Sequence, residues 1–334
     1  MVSAVLPYFG RHETFAPRYG WLKKAIDAVA EDPSIFSAAD APVRLGVGKN
    51  MVKAIRYWAY AFKLIEPIEH PRRRGEAVAY QPTPLGRAIF NEDGIDPYVE
   101  NTATLWFLHW VLHVAPCYAP VWWVLLHELG PRPFHVDDAV AAVKRYAQCV
   151  EWRAGTDRTI RRDVQCFLQM YSALPIKRAN MEDELASMFR NLGLVHQHSN
   201  EQGEYIFNYT DKITLPSELV AFCCIEYLRR RGGAMTITLP ELVSEPGSPG
   251  VVFKLTVTSL ATALSKVSTI SKGIKVVDQA GSLQMQILKD PIELMAFLVH
   301  AIYHDNVSEE VARNMVRNLS AYINALSENY ALAV

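Results

Sequence analysis

Cysteine is scarce in this chain: five residues in 334, at positions 117, 149, 166, 223 and 224. No C-x-x-C spacing occurs, which argues against a zinc ribbon or a dithiol redox pair, and no disulfide framework is visible. Reduced, mostly packed thiols in a cytoplasmic protein are expected. Excess charge is also missing, with 34 Lys+Arg against 35 Asp+Glu and a formal net charge of −1. Any preference for an acidic partner must therefore come from a local patch. No apolar run of about 18 residues free of charge exists, so no membrane contact through a span is expected. The densest stretch, TLWFLHWVLHVAPCYAPVWWVLL (104–126), is broken by Pro116 and Pro120 and reads as two buried helices. The start, MVSAVLPYFGRHETF, lacks the basic region of a signal peptide. G-x-S-x-G, H-E-x-x-H and the dinucleotide fingerprint are all absent.

What is present is a globular composition, 50% hydrophobic and 21% charged, long enough for two or three domains. Helical spacing predicts helices over 18–31, 34–41, 49–64, 98–113, 117–128, 136–152, 156–171, 181–193 and 216–231, and two more over 291–304 and 308–328. Pro42 to Gly48 reads as a turn. PGSPG (246–250) is the clearest loop, followed by a short strand and then a helix. Hairpins are expected over 64–82, around Gly203, and around Ala280-Gly281. Three times, helices precede a hairpin, which is the order of a winged helix. The expected fold is mainly α with small β-hairpins, arranged as tandem winged-helix or helix-turn-helix modules. The expected units are 1–92, an N-terminal winged helix; 93–233, a helical middle with a second such unit; and 234–334, a third with terminal helices.

The stretch RLGVGKNMVKAIRYWAYAFK (44–63) poses a choice between a phosphate loop and a helix. A Walker A loop needs a Gly where Val43 stands and a hydroxyl where Asn50 stands, so the phosphate loop fails. The helix accounts for more residues. Val52, Ile55, Ala59 and Phe62 make one apolar stripe. Lys49, Lys53 and Arg56 make a separate basic stripe, with Asn50 beside it. Residues 44–74 hold eight Lys/Arg against two Glu, including Arg44 and the hairpin residues Arg72, Arg73 and Arg74. A recognition helix presents its first turns to the major groove, where Lys and Arg meet phosphate or guanine and Asn meets adenine. A second helix, TDRTIRRDVQCFLQM (156–170), repeats the arrangement. Ile160, Val164, Phe167 and Leu168 form its apolar stripe, and Arg158, Arg161 and Arg162 its basic start. The alternative there is a solvated helix with an Arg162–Asp163 pair.

Two residue clusters admit sharper chemistries. His109 and His113, with Cys117 and His127, have a spacing that could hold zinc, but Trp and Leu surround them and core histidines are the expected reading. Asp93, Asp96 and Glu100 could serve a metal-dependent nuclease, yet Asp96-Pro97 with Asn101 more simply makes a turn and a helix cap. No metal, cofactor or catalytic residue is assigned.

The phrases RYGWLKK (18–24), LGVGKNMVKAIRYWA (45–59), DGIDPYVENTATLWFLHW (93–110), TIRRDVQCFLQMY (159–171) and PGSPGVVFKL (246–255) resemble, in order, those of a bacterial family of unknown function. That family is encoded beside DNA phosphorothioation genes for a cysteine desulfurase and a sulfur-transfer enzyme. The resemblance implies a role in DNA modification or phage defence, with those enzymes as partners. It departs at MEDELASMFRNLGLV (181–195), where the family's Cys-Pro-Leu segment is missing. No catalytic residue is therefore carried over; the family's own phrase runs LGVGKNMV-x-SIRYW, so of the residues singled out above only Lys49, Asn50 and Arg56 are matched by it. The expected function is non-catalytic binding of double-stranded DNA within such a system. A protein-interaction scaffold and a metal-dependent nuclease are the alternatives.

Overall fold

The structure, a computed structural model, describes residues 5–68, 78–153, 155–172, 187–198, 203–303 and 307–331. Arg72, Arg73 and Arg74 and the first six residues (181–186) of the helix expected over 181–193 lie outside the described residues; the rest of that expected helix holds a 3-10 turn, Met188–Leu192.

The first unit follows the periodicity of its sequence. Helix α1 (Trp21–Glu31) buries Trp21, Leu22, Ala25, Ile26 and Val29 on one face. The single short helix expected over 34–41 is instead a 3-10 turn (Ile35–Ser37) followed by α2 (Ala41–Leu45). Pro42, expected in a turn, sits in the first turn of α2, where its missing N–H removes no helical bond. Gly46 ends α2 with a φ of 62°, and α3 (Lys49–Ala61) starts three residues later. All four stripe residues, Val52, Ile55, Ala59 and Phe62, are buried. Strands β1 (Ile65–Pro67) and β2 (Tyr80–Pro82) pair antiparallel, and α4 (Pro84–Phe90) packs back on them. A Cβ at Gly86 would stand 2.2 Å from the Leu64 carbonyl oxygen, so only glycine lets α4 lie this close.

The Trp- and Leu-rich stretch forms α5 (Thr102–His113) and α6 (Pro120–Glu128). Every residue from Ala103 to His113 is buried, which explains why α5 is apolar on all sides. Around this pair lie α7 (Val136–Cys149), α8 (Asp157–Tyr171), a 3-10 turn (Met188–Leu192) and the hairpin β3 (Val195–Gln197) with β4 (Tyr205–Phe207). Then come α9 (Ser217–Arg230), β5 (Thr236–Thr238), α10 (Leu239–Ser244), α11 (Pro249–Phe253) and α12 (Val257–Ile270). Strands β6 (Ile274–Gln279) and β7 (Ser282–Ile287) complete a three-stranded sheet in the order β5-β7-β6, and α13 (Pro291–Ile302) and α14 (Glu309–Ala331) end the chain. Residues 251–253, expected in a short strand, are helical, because Pro249 opens α11 behind an extended Ser248. The last hairpin turns at Ala280 and Gly281, with φ of 54° and 82°. One hydrophobic cluster runs from Val5 to Leu319. Among the described residues no helix is long and apolar enough to cross a membrane.

Buried polar side chains fasten the PGSPG segment and the residues after it to α5 and α6. His109 Nε2 donates to the Val252 carbonyl (2.9 Å), and its Nδ1 accepts from the Tyr171 hydroxyl (2.7 Å). His127 Nδ1 donates to the Trp123 carbonyl (2.6 Å), and its Nε2 accepts from the Gly247 N–H (2.9 Å). Lys254 Nζ donates to the Leu126 and Leu129 carbonyls at the end of α6 (2.5 and 3.1 Å). His109 is thus packed in the core and His127 part-buried against it, each with both ring nitrogens occupied.

Burial lowers both His109 and His127 from 6.5 to about 4, and it takes His113 well below 6.5. Between the folded and unfolded values the unfolded chain binds protons that the folded chain refuses. The stability these rings contribute is therefore full above 6.5 and is lost as pH falls toward 4. Urea midpoints measured across that window should decline steadily. A flat profile there would contradict the burial of neutral imidazoles.

A candidate nucleic-acid interface

Asp163 lies on α8, yet its side chain is only 2% exposed. A buried carboxylate is costly unless donors surround it. Here the Gly10 N–H reaches both oxygens (3.2 and 2.9 Å), and His12 Nε2 reaches one (2.9 Å). The Thr14 N–H donates to His12 Nδ1 (3.1 Å), which leaves Nε2 as the donor to Asp163. The segment 8–15 is thereby laid against α8. Its backbone is left-handed at Gly10, Glu13 and Thr14, with φ of 68°, 50° and 71°. A Cβ on Gly10 would come 3.1 Å from Thr159 Cγ2. Non-glycine residues in this region cost roughly 1–3 kcal/mol each and persist only where their surroundings impose them. On the other side, Trp58 Nε1 of α3 donates to the Phe15 carbonyl (2.8 Å), and the His12 ring stacks on Trp58. One short loop thus joins the two basic helices.

Two clefts open beside the loop and share Phe9, Gly10 and Glu13 as a common wall. Lys53 and Arg56 of α3 line the larger, about 650 Å³, together with Arg11. Asn50 of α3 meets Thr159 and Arg162 of α8 in the smaller, about 440 Å³. Four of the residues singled out from the sequence, Asn50, Lys53, Arg56 and Arg162, are therefore brought together around one loop. Lys49 is exposed at the first position of α3, and Arg158 is exposed on α8; neither lines a cleft. Arg161 pairs with Asp137 of α7 (2.5 Å). Arg44 lines a separate cavity with Lys23 and pairs with Asp32 (2.6 Å). Lys63, counted in the basic run, is buried and donates to the Val111 carbonyl (2.7 Å), so it adds nothing to the surface charge. The Arg162–Asp163 pair does not form, because Asp163 turns inward to the loop.

Lys53 pairs with Glu13 (3.0 Å), while Arg11, Arg56 and Arg162 have no ion-pair partner among the described residues. Three cations face one carboxylate in the larger cleft. Sequence reading missed Arg11, His12, Glu13 and the tyrosines beside them. The signal was GRHET, a charged cluster within a segment that shows no periodicity.

The sharper chemistries find no support in the geometry. The Asp96 carboxylate is buried and accepts from the Glu100 and Asn101 N–H groups (2.8 and 3.1 Å) and from Thr104 Oγ1 (2.5 Å). It clasps the start of α5, and a metal there would have to displace those donors. Among the described residues no three His, Cys, Asp or Glu are grouped to hold a metal. Cys117, expected to begin a helix, instead bridges to Val5 ahead of α6, and burial raises its thiol to about 11. Burial likewise raises Cys166, Cys223 and Cys224. Cys149, expected to be packed, is exposed because α7 ends there.

Two measurements follow. Removing His12 by His12→Ala strips a donor from a buried carboxylate and should cost roughly 1.5–3 kcal/mol in urea unfolding. Lys53→Ala breaks only the solvated Glu13 pair and should cost less than about 1 kcal/mol. Equal effects would mean that Asp163 does not hold the loop. Separately, a thiol-specific reagent should label one cysteine in the native protein, Cys149, and the other four only on unfolding. Native labelling that survives Cys149→Ser would disprove the burial of the rest.

The family model described as "Protein of unknown function (DUF4007)" matches residues 9–303 of the chain. Two solved structures are similar along nearly the whole length. A magnesium ion-bound SspB crystal structure has 32% identity and a TM-score of 0.86, covering 99% of this chain and 98% of that one. A second SspB crystal structure has 32% identity and a TM-score of 0.83, covering 98% of each. SspB is a phosphorothioation-system protein. The search of curated proteins found no match.

Proposed function

Because the chain belongs to the DUF4007 family and resembles SspB from end to end, we propose that it is a DNA-binding component of a DNA phosphorothioation system. The observation that carries the DNA-binding part is the convergence of Asn50, Lys53, Arg56, Arg162 and Arg11 around a loop pinned by Asp163. Lys49 and Arg158 extend this basic surface. Arg44 and Arg161, and Arg72, Arg73 and Arg74 outside the described residues, are peripheral contacts in this reading. The order α1, α2, α3, β1, β2 over residues 1–92 suits a winged helix whose α3 enters the major groove by its first turns. The segment 234–334 supports the same reading, with its β5-β7-β6 sheet and the helices between β5 and β6. Residues 93–233 supply the helical middle, with α8 as the second contact. In this reading the protein delivers double-stranded DNA to a cysteine desulfurase and a sulfur-transfer enzyme.

A magnesium ion, as found in the SspB structure, is not carried over. Mg²⁺ wants near-octahedral oxygen ligands that are free to bind. The acids nearest the cleft are occupied, Asp163 by Gly10 and His12 and Glu13 by Lys53. At this cleft the donor set does not fit the ion.

Neutralising about four to six phosphates gives a log-log salt slope of roughly −4 to −5. Duplex binding measured by anisotropy should fall accordingly between about 50 and 200 mM salt. Lys49→Ala and Lys53→Ala should weaken binding to every sequence, whereas Asn50→Ala should relax base preference by about 1–3 kcal/mol. Ile55→Ala, in the core, should lower stability by about 2–5 kcal/mol instead. Salt-independent binding would reject the interface. Absence of DNA binding together with co-purification of the sulfur-transfer enzymes would favour a scaffold.

A further inference from the structure

The larger cleft is aromatic as well as basic. Tyr8, Tyr60 and Tyr80 line it beside Arg11, Lys53 and Arg56. Tyr8 is 38% exposed, and Tyr60 and Tyr80 are half-buried, so each ring keeps surface open to the cleft. Each is also braced from behind. Tyr8 and Tyr60 pack on the buried Tyr118 with centroids 5.6 and 4.5 Å away, and Tyr80 meets Phe36 edge-on at 6.0 Å. The floor is Tyr57, whose hydroxyl already donates to the Tyr118 carbonyl (3.0 Å) and has no proton left to offer a ligand.

Contacts to a duplex backbone explain the cations but not the rings. Phosphates and sugars present no flat π-face, and the bases of a duplex already cover one another. A base that has left the stack does present such a face, and its phosphate follows it. Tyrosine rings beside unpaired guanidinium groups suit that ligand: aromatic stacking holds the base, and Arg holds the backbone. We propose that the cleft between α3, β2 and the loop 8–15 receives an unpaired nucleotide, its base stacked on the Tyr8–Tyr60–Tyr80 wall and its phosphate on Arg11 and Arg56. The closed floor gives little base discrimination, because stacking is sequence-tolerant. The strand leaving this cleft passes the shared wall of Phe9 and Gly10 into the smaller one, toward Asn50 and Arg162.

The proposal rests on the DNA-binding reading, and one experiment separates the two. The full chain is titrated by anisotropy against a perfect duplex, the same duplex with a one-nucleotide bulge, and a single strand. A 2-aminopurine at the bulge reports stacking by quenching. Binding to the bulged duplex on the order of ten-fold tighter than to the perfect one is expected, with quenching on binding. Tyr8→Leu with Tyr60→Leu, folded by circular dichroism, should lose that preference and the quenching while still binding perfect duplex. Tyr8→Phe with Tyr60→Phe should keep both. Equal affinity of the parent for bulged and perfect duplex would overturn the nucleotide pocket and leave the DNA-binding reading standing. So would a Leu variant that weakens all three DNAs alike. No binding to any of the three would overturn both.

Discussion

A carboxylate placed inside a protein must be surrounded by donors, and Asp163 meets that demand with a loop from the far end of the chain. Gly10 and His12 stand more than 150 residues away in sequence, yet they supply all of its hydrogen bonds. The bonding cannot be satisfied unless segment 8–15 crosses the start of α8. Once it does, Trp58 and Phe15 fix its other end to α3. The two basic helices then have no freedom to separate. The cleft between them is therefore a consequence of how one acid is compensated, and the left-handed residues Glu13 and Thr14 are the local strain of making the loop fit.

The loop has something rigid to hold to because α5 and α6 leave it no alternative. A helix buried on every side must be wrapped completely, and the elements packed on α5 and α6 include α7, α8, α9, α11 and the 3-10 turn Met188–Leu192, with Trp58 of α3 against Trp122. Polar groups inside such a core survive only when bonded. His109, His127 and Lys254 are all bonded, and each bond ties α5 or α6 to the segment 246–254. The same bonds that organise the core make it sensitive to acid, since each imidazole is kept neutral by burial.

Periodicity carried most of the fold. The apolar stripes of α1, α3 and α8 are legible because helical spacing repeats over three or four turns, and every predicted stripe residue on α3 and α8 is buried. Short elements fared worse. Residues 34–45 and 249–253 are too brief to show a period, and proline there opens helices rather than turns. The site was half legible. Asn50, Lys53, Arg56 and Arg162 stand out as basic or polar positions on amphipathic helices, and two clefts that share one loop wall bring them near each other. Arg11, His12 and Glu13 sit in irregular backbone, where only the three-dimensional pairing with Asp163 gives them meaning. Charge counting was misled by Lys63, because a sequence does not reveal that a lysine will spend its amine on the carbonyl of a buried helix.

The chain's near-neutral balance and its basic cleft are reconciled by where the acids sit. Arg44 and Arg161 are matched by Asp32 and Asp137, away from the cleft. Across the two clefts, Arg11, Arg56 and Arg162 are left unmatched, and the one matched cation, Lys53, is held by Glu13 in a solvated pair. A pair of that kind contributes at most about 1 kcal/mol, so exchanging Glu13 for a phosphate costs little. Arg11, Arg56 and Arg162 thus place unmatched charge where loop, α3 and α8 meet. On the DNA-binding reading proposed above, a chain with no net positive charge would meet a polyanion through this local patch and not through its overall charge.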